Sequence, residues 1–483
     1  MDDSLILEIK KVGLVNHALI ELGVLDLKKG NNGHINIIAG KNSTGKTTIS
    51  KILYTVISTI SNEGDRLYKK EFSNNISSLI TALERFDNKF MVLDAILTLD
   101  DSVVRNSHSD KSNESDSKNI FSNDNLRELI KKLKNYRALL FDKAGINQNI
   151  LNIIEEITRL LEFEDKQPSS VLIKLESVKN AYLKYHDLEE RLLEILTIIL
   201  KTEFTGSSLG IFKTLNDEEN GEDVFNVNFY NSQYGSIINI KRNEVSLFGK
   251  INESSLVQMG EVYYLETPFI LDFYDNDFKE IYFKDQFPLH HQNSLATEIS
   301  QKSEIEWDFT NGNGRDDLSP GAMIRNIING YLYFDDENGN FKFQSDNQTF
   351  DMDNTSSGIK NLGILQLLLD KELEDNSFFI IDEPEVHLHP NWIVEFAKAI
   401  VMIAKTYKIH FYINSHSPQF IEAIEVFSQK HKIENYTNFY LLKEHENNMF
   451  NMEKVDRFNI EKIHDELGKP YDIIDDLRVD NLL

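Results

Sequence analysis

Apolar residues along the chain follow two kinds of pattern, which predict strands in some stretches and helices in others. Short apolar runs at 35–39 and 377–381 predict buried strands. Alternating apolar and polar residues between 223 and 252 predict further strands, and those at 5–12 and 18–23 predict a small antiparallel sheet that leads into the run at 35–39. From 126 to about 201, apolar residues recur at three- and four-residue steps, which predicts amphipathic helices. The chain is therefore predicted to have an α/β fold.

The run at 35–39 leads directly into Gly-Lys-Asn-Ser-Thr-Gly-Lys-Thr at 40–47. This is the glycine spacing of a phosphate-binding P-loop, in which backbone N–H groups surround an anion. The residues that follow predict a helix, whose N-terminus also favours phosphate. The residues predicted to bind a nucleotide here are Gly40, Lys41, Asn42, Ser43, Thr44, Gly45, Lys46, Thr47 and Thr48.

Two residues of this loop are given chemical roles. The ammonium group of Lys46 is expected to reach the β- and γ-phosphates of ATP and is therefore a candidate catalytic residue. The hydroxyl of Thr47 is expected to bind Mg²⁺. Both roles depend on the strand before the loop and the helix after it, which distinguish a P-loop from a chance glycine pattern.

The apolar run at 377–381 ends in two carboxylates, as a Walker B element does. Asp382 is expected to orient the Mg²⁺ shell. Glu383 is expected to act as general base toward the attacking water. A further apolar run ends just before His416, which is predicted to contact the γ-phosphate.

A third element lies between the P-loop and the Walker B carboxylates. Ser356, Ser357 and Gly358 precede a stretch that predicts a helix. A serine followed by glycine at a helix N-terminus favours an anion, so these residues are also predicted to bind the nucleotide.

Composition narrows the class of protein. The chain has 483 residues, no cysteine and a formal net charge of −27. Disulfides and thiolate metal sites are therefore excluded. No stretch approaches the ~20 apolar residues that span a bilayer, and the N-terminus lacks a secretory signal, so a cytoplasmic location without a membrane partner is expected. The acidic balance argues against a surface that binds nucleic acid throughout, but it leaves a local basic groove open.

The order of these motifs resembles ABC-type ATPases. More closely, the sequence resembles the stand-alone bacterial ATPases of the OLD, Septu and PARIS anti-phage systems, which are related to RecF and SMC heads. The residues that carry the resemblance are 40–47, 355–360, 382–390 and 415–418, so it spans both ends of the chain and excludes the middle. It implies an ABC-ATPase-like P-loop core with an antiparallel β subdomain and an inserted helical, coiled-coil-like arm.

With this resemblance, the chain is predicted to have five parts. Residues 1–100 and 346–483 form the two parts of the ATPase core, the first with the P-loop and the second with the signature, Walker B element, histidine and C-terminal helices. Residues 101–125, rich in Ser, Asn and Asp, are predicted to be a disordered loop. Residues 126–205 form the arm, for which a helical subdomain covering the sheet is the alternative, and 206–345 form a β-rich and mixed segment.

The resemblance also implies a composite site that requires at least two copies of the chain. Ser356 and Gly358 of one subunit would close the ATP bound to the P-loop of another, so a homo-oligomer with ATP and Mg²⁺ is expected. Residues 386–390 would lie at the subunit contact. The Q-loop glutamine is not identified, and Gln233 and Gln258 are the candidates.

The function implied by the resemblance is hydrolysis of ATP by a sensor or scaffold subunit in anti-phage defence. Such a subunit controls a separately encoded effector, such as a nuclease, and responds to a phage protein. OLD-type nucleases carry a further Toprim domain, whereas the acidic residues 472–476 lie in a predicted helix without its βαβ frame, so the effector is expected on another chain. The alternative is a DNA-repair or DNA-clamp ATPase similar to RecF and SMC heads. A transporter ATPase is disfavoured by the long arm and the Ser-Ser-Gly signature.

Overall fold

The computed structural model describes most of the chain, in two compact units, Met1–Gly64 with Leu193–Leu483, and Asp65–Leu192. Both candidate Q-loop residues, Gln233 and Gln258, lie outside the described residues. The described residues are 4–24, 32–104, 123–140, 146–162, 169–204, 226–231, 235–241, 244–247, 260–266, 268–271, 290–300, 319–345, 348–371, 373 and 376–480.

The described strands all belong to the first unit. They are β1 (Ser4–Val12), β2 (Val15–Val24), β3 (Ile35–Ala39), β4 (Asn226–Asn231), β5 (Gly235–Lys241), β6 (Glu244–Leu247), β7 (Val262–Leu265), β8 (Tyr331–Asp335), β9 (Asn340–Ser345), β10 (Gln348–Asp351), β11 (Phe378–Asp382), β12 (His410–Ser415), β13 (Thr437–Glu444) and β14 (Phe450–Val455).

The described α-helices occur in both units. They are α1 (Lys46–Ile60), α2 (Asn62–Val104), α3 (Asn123–Ala138), α4 (Asn149–Glu162), α5 (Ser169–His186), α6 (Leu188–Glu203), α7 (His291–Ile299), α8 (Pro320–Ile328), α9 (Ser357–Leu369), α10 (Pro390–Tyr407), α11 (Pro418–His431) and α12 (Glu461–Asp480). None of these helices is long and apolar enough to span a membrane.

One sheet of 11 described strands contains both kinds of strand that the sequence predicted, in the order β6-β5-β4-β1-β2-β14-β13-β3-β12-β11-β7. The strands from β13 to β7 pair in parallel. The strands from β6 to β2 pair antiparallel. The predicted antiparallel β region is therefore continuous with the sheet that carries the P-loop. A separate three-stranded sheet contains the hairpin of β8 and β9.

The register of the parallel strands brings the predicted motifs to one edge of the sheet. β3 pairs with β12 so that Ala39 lies opposite Ser415, and β12 pairs with β11 so that Asn414 lies opposite Asp382. Parallel strands end at the same edge, where doubly wound sheets bind their ligands. The P-loop, the Walker B carboxylates and the segment before His416 all begin at this edge.

The core of the first unit fixes these strands. Every residue of β3 and β12 is buried. The apolar face of α10, which includes Phe396 and Ile400, packs in the same core as Phe379 and Phe411. Burial of this kind stabilises the folded state by roughly 25 cal/mol per Å² of apolar surface. The packed core therefore fixes the positions of the strand ends, which carry the polar residues.

The described elements of the second unit are helices. This unit comprises Asp65–Leu192. Helix α2 continues to Val104 and α3 begins at Asn123, so the two ends of the predicted loop 101–125 are helical; residues 105–122 lie outside the described part. Within the unit, α3 packs against α4, and α4 against α5.

Candidate functional site

The lysine of the P-loop forms hydrogen bonds with the backbone of its own loop. Lys46 Nζ donates hydrogen bonds to the carbonyls of Gly40 and Lys41, each at 2.7 Å, and Thr44 Oγ1 donates to the Lys41 carbonyl at 3.0 Å. These bonds turn the carbonyls toward the lysine. Gly45, at the N-terminus of α1, has a φ of 91°, a conformation that glycine adopts without strain. The result is a preformed loop at a helix N-terminus, where phosphate binds.

The β1–β2 hairpin packs against the P-loop. A Cβ atom added at Gly45 would lie 2.8 Å from Val15 Cγ2, which is too close for any side chain. Gly45 is therefore required by its contact as well as by its φ. The predicted P-loop residues differ in exposure: Lys41, Asn42, Ser43 and Thr47 are exposed, Gly45 and Thr48 are partly buried, and Gly40, Thr44 and Lys46 are buried.

Asp382, at the end of β11, is the centre of a polar network. Its Oδ1 accepts hydrogen bonds from Ser50 Oγ at 2.7 Å and Asn414 Nδ2 at 2.6 Å, and Asn414 Nδ2 also lies 2.7 Å from Ser50 Oγ. Its Oδ2 accepts from the hydroxyl of Tyr264 at 3.0 Å. Burial raises the pKa of Asp382, and hydrogen bonds from these groups and Thr47 oppose that rise. The network holds one carboxylate between α1, β7 and β12.

Nearby carboxylates affect the pKa of the P-loop lysine. Burial lowers the pKa of Lys46, and the charges of Glu383, Asp382 and Glu385 raise it in part. The structure therefore brings the predicted phosphate-binding lysine and the predicted Walker B residues into one electrostatic site. A nucleotide phosphate would replace part of the water that this lysine has lost.

Glu383 and His416 form a pair beside this site. Glu383 has a φ of 49°, a left-handed conformation that is uncommon for residues other than glycine and occurs at functional sites. His416 Nδ1 lies 3.3 Å from Glu383 Oε1. Both side chains are partly exposed, at 40% for His416 and 35% for Glu383. The two groups can therefore reach a ligand from outside the core.

A buried carboxylate supports His416 from behind. Glu385 Oε1 accepts hydrogen bonds from Ser415 Oγ at 2.8 Å and from the backbone N–H groups of His416 and Ser417 at 3.0 and 3.1 Å. Oε1 also lies 3.5 Å from His416 Nδ1. Glu385 thus fixes the turn after β12, because three donors from consecutive residues converge on one oxygen.

The Ser-Ser-Gly element lies at the start of α9. Ser356 caps this helix through a hydrogen bond from the Ile359 N–H to Ser356 Oγ at 3.4 Å, and both Ser356 and Ser357 are exposed. Gly358 is buried, and a Cβ added there would lie 2.8 Å from the carbonyl oxygen of His387. The signature is therefore packed against the segment after Walker B. The hydroxyl of Ser356 thus accepts a hydrogen bond from its own helix and not from the network around Asp382.

Sequence reasoning missed three of the residues that hold the site. Ser50 lies one helical turn after Thr47, a spacing that places both on one face of α1. Glu385 stands two residues after Glu383 in the quoted motif, but its burial could not be read from the sequence. Tyr264 has no sequence signal, since its bond depends on the pairing of β7 with β11. Asn414 stands two residues before His416, but it was assigned no role from the sequence.

The donor set fits a nucleotide with Mg²⁺. Asp382 and Thr47 supply oxygen ligands of the kind that Mg²⁺ prefers, and interaction with the side chain of Thr47 offsets part of the rise in the pKa of Asp382 that burial causes. The close packing at Gly45 lets the backbone N–H groups of the loop approach an anion. These residues come from separate parts of the sequence and lie together only in the folded chain.

Comparison with known families identifies one match. The model of the AAA_21 family, described as "AAA domain, putative AbiEii toxin, Type IV TA system", matches residues 35–422. The matched residues include the P-loop, the signature, Walker B and His416. No curated protein sequence matches the chain.

Solved structures with distant similarity are SMC head domains. The SMC head domain from Thermotoga maritima has 10% sequence identity and a TM-score of 0.31, over 94% of this chain and 100% of that one. The Smc head domain with an extended coiled coil from Pyrococcus furiosus, bound to the C-terminal domain of ScpA, has 9% identity and a TM-score of 0.28, over 99% and 100%. The head domain with a coiled coil and joint from Pyrococcus yayanosii has 10% identity and a TM-score of 0.31, over 97% and 100%.

Proposed function

Because the chain belongs to the AAA_21 family of AAA domains, we propose that it binds ATP with Mg²⁺ and hydrolyses it to ADP and phosphate. The observation that carries this proposal is the network in which Ser50, Asn414 and Tyr264 orient Asp382. Withdrawing a carboxylate from water is costly, and these donors offset only part of that cost, so the pKa of Asp382 stays raised. Such perturbed groups cluster at functional sites.

Each predicted residue has a task in this reaction. The loop N–H groups and Lys46 hold the phosphates, while Thr47 and Asp382 hold the ion. Mg²⁺ neutralises charge on the phosphate oxygens when bound. Glu383 accepts the proton of the attacking water, and His416, 3.3 Å from it, contacts the γ-phosphate. Positioning and electrostatics dominate such transfers.

The proposed ATPase activity is tested by two substitutions with different expected effects. Lys46→Ala is expected to lose both nucleotide binding and hydrolysis. Glu383→Gln is expected to keep binding and lose hydrolysis, because the amide cannot accept the proton. Phosphate release and the affinity for a fluorescent ATP analogue separate the two. Glu395→Gln, an exposed position on α10, is the matched control and should behave as the wild type.

We further propose that the site is completed by a second copy of the chain. The exposed Ser356 and Ser357 at the N-terminus of α9 offer an anion site that the chain's own Asp382 network does not use. With the signature of a second subunit over the P-loop, ATP would hold the two subunits together and hydrolysis would release them. Nucleotide hydrolysis would then control assembly.

The cellular role that we propose is a sensor or scaffold in anti-phage defence, acting in the cytoplasm with a separately encoded effector such as a nuclease. The family description, which names a toxin–antitoxin system, supports a function shared with another gene product. The test is co-purification of the chain with the products of neighbouring genes, with and without ATP, followed by phage challenge of cells carrying Glu383→Gln. A bound effector and lost protection support the proposal. Salt-sensitive binding to duplex DNA without any effector would instead indicate a DNA-clamp ATPase.

A further inference from the structure

A second group of ionisable side chains lies beside Tyr264, apart from the P-loop. Its members are Glu203, the last residue of α6; Glu266, directly after β7; and His290 and His291 at the start of α7. The Tyr264 ring lies 4.3 Å from the His291 ring, centroid to centroid, and its hydroxyl reaches Asp382. The reaction proposed above uses none of the four residues.

Three of these residues offer a compact set of metal ligands. His291 Nδ1 lies 2.6 Å from Glu203 Oε2, and His290 Nε2 lies 3.9 Å from the same oxygen. One ligand atom from each of the three residues lies within 4.8 Å of the other two. Around a tetrahedral Zn²⁺ with bonds of ~2.0–2.2 Å, neighbouring ligand atoms are ~3.3 Å apart. Shifts below about 1 Å would therefore place an ion between them.

The surroundings of His291 provide an independent observation that points to a metal. Its other ring nitrogen, Nε2, lies 3.2 Å from Glu266 Oε2. Metal-binding histidines almost always have a carboxylate or carbonyl beside this second nitrogen, and Glu266 occupies that position here at ion-pair distance, without hydrogen-bond geometry. Glu203 is oriented as well, because the His291 backbone N–H donates to its Oε1 at 2.6 Å.

Burial favours a positive charge at this position. The side chains of Glu203 and His291 have no solvent exposure. A fully buried carboxylate is stabilised by a neighbouring cation, and without one it tends to take up a proton. That cation is either a bound metal ion or a protonated His291, and only the first uses His290 as a ligand.

We propose that Glu203, His290 and His291 bind a divalent transition-metal ion, with Glu266 orienting the His291 ring. Two imidazoles and one carboxylate suit Zn²⁺ and similar ions better than Mg²⁺ or Ca²⁺. The ion would tie the end of α6 to the start of α7, with Glu266 positioned directly after the strand that carries Tyr264. This site is separate from the proposed ATP site, and its existence does not depend on ATP hydrolysis.

The test measures metal binding to the full chain without nucleotide or Mg²⁺. After chelator treatment, the protein is titrated with Co²⁺ as a spectroscopic probe and with Zn²⁺ during thermal unfolding. We expect about one Co²⁺ per chain with the visible absorption of a four- or five-coordinate ion, and a higher unfolding midpoint with Zn²⁺. His290→Asn and Glu266→Gln should weaken binding at least tenfold, the second through loss of the oriented ring.

Two control variants remove other potential metal ligands in the described part of the chain. Asp382→Asn removes the proposed Mg²⁺ ligand, and His389→Asn removes an exposed histidine of the 387–389 segment; both should bind Co²⁺ as the wild type does. X-ray absorption of the Zn²⁺-loaded wild type gives a readout that needs no variant and should show imidazole scattering. Wild-type protein that binds no ion, binding unchanged in His290→Asn and Glu266→Gln, or a spectrum without imidazole scattering would overturn the proposal in favour of a protonated His291.

Discussion

The hydroxyl of Tyr264 donates a hydrogen bond to Oδ2 of Asp382 across 3.0 Å. Oδ1 of the same carboxylate accepts from Ser50 and Asn414. Both oxygens of Asp382 are thus oriented by hydrogen bonds from within the fold. Preorganisation of this kind reduces the rearrangement that accompanies ligand binding and reaction.

Tyr264→Phe is expected to lower the free energy of unfolding by about 2 kcal/mol, because it removes a buried hydrogen bond to a carboxylate. The measurement is urea unfolding followed by circular dichroism. Tyr412→Phe is the matched control: Tyr412 is fully buried, and its hydroxyl has no hydrogen-bond partner among the described residues. Its loss should be neutral or slightly stabilising. Equal destabilisation by both substitutions would contradict the role given to the Tyr264 bond.

Asp382→Asn is expected to stabilise the protein at neutral pH while abolishing ATP hydrolysis. Burial raises the pKa of Asp382, so the folded state binds this proton more tightly than the unfolded state does. Binding of this proton therefore stabilises the folded state below the ordinary pKa of aspartate. The stabilisation is lost as the pH rises through the pKa that Asp382 has in the folded state. In Mg²⁺-free buffer at pH 7, the free energy of unfolding of the variant should exceed that of the wild type. The difference between the two should become smaller at acidic pH. A variant less stable than the wild type at pH 7 would count against this account.

How much of this site could be predicted depended on distance along the chain. The strand, loop and helix around Lys46 are contiguous, and glycine spacing with apolar patterning identified them. The bond from Tyr264 to Asp382 joins residues 118 positions apart, and it exists only because β7 pairs with β11. The contact of Glu203 with His291 spans 88 positions. Such contacts depend on strand order and helix packing, which local patterns do not encode.

The helical unit shows the same limit for domain boundaries. Helix α2 is 43 residues long and passes through the boundary at Gly64 without a change of pattern. Apolar periodicity predicts a helix, but it does not indicate to which compact unit each turn of that helix belongs. The boundary between the two units at Gly64 therefore has no counterpart in the local sequence pattern.

Stability is expected to fall in mild acid because of two buried histidines. Burial lowers the pKa of His410 to about 3 and that of His34 to about 4. His410 Nδ1 accepts the His34 backbone N–H at 3.1 Å, a bond that protonation would break. The unfolded chain binds these protons near pH 6.5, so stability declines as pH falls from 6.5 toward the folded values.

The contribution of His410 to this loss is expected to be roughly 2–3 kcal/mol at pH 4.5, at about 1.4 kcal/mol per pKa unit. His410→Gln keeps an acceptor for the His34 N–H and should flatten the decline in the denaturant midpoint between pH 6.5 and 4.5. His445→Gln, an exposed position, is the control and should leave the profile unchanged. A decline of equal slope in His410→Gln would show that other groups cause the acid sensitivity.

Glu385→Ala is expected to slow ATP hydrolysis at least tenfold while leaving nucleotide affinity within about threefold. The substitution removes the acceptor shared by Ser415, His416 and Ser417 but no predicted phosphate contact of the P-loop. Glu385→Gln retains an oxygen acceptor and should recover part of the rate, which a loss of folding would not allow. Reduced affinity with an unchanged rate at saturation would contradict the role of Glu385 in positioning His416.

In the proposed assembly, ATP joins two copies of this chain through Gly358 of one copy and the P-loop of the other. Sedimentation velocity of Glu383→Gln, with and without ATP and Mg²⁺, tests it most directly. The account predicts a larger species only with ATP, and its loss in Glu383→Gln combined with Gly358→Ala, where the added Cβ would lie 2.8 Å from the His387 carbonyl oxygen. The same background with Gly468→Ala, where an added Cβ meets nothing within 4 Å, should still assemble. If Glu383→Gln binds ATP but its sedimentation coefficient stays the same with and without ATP, ATP does not join two copies of the chain.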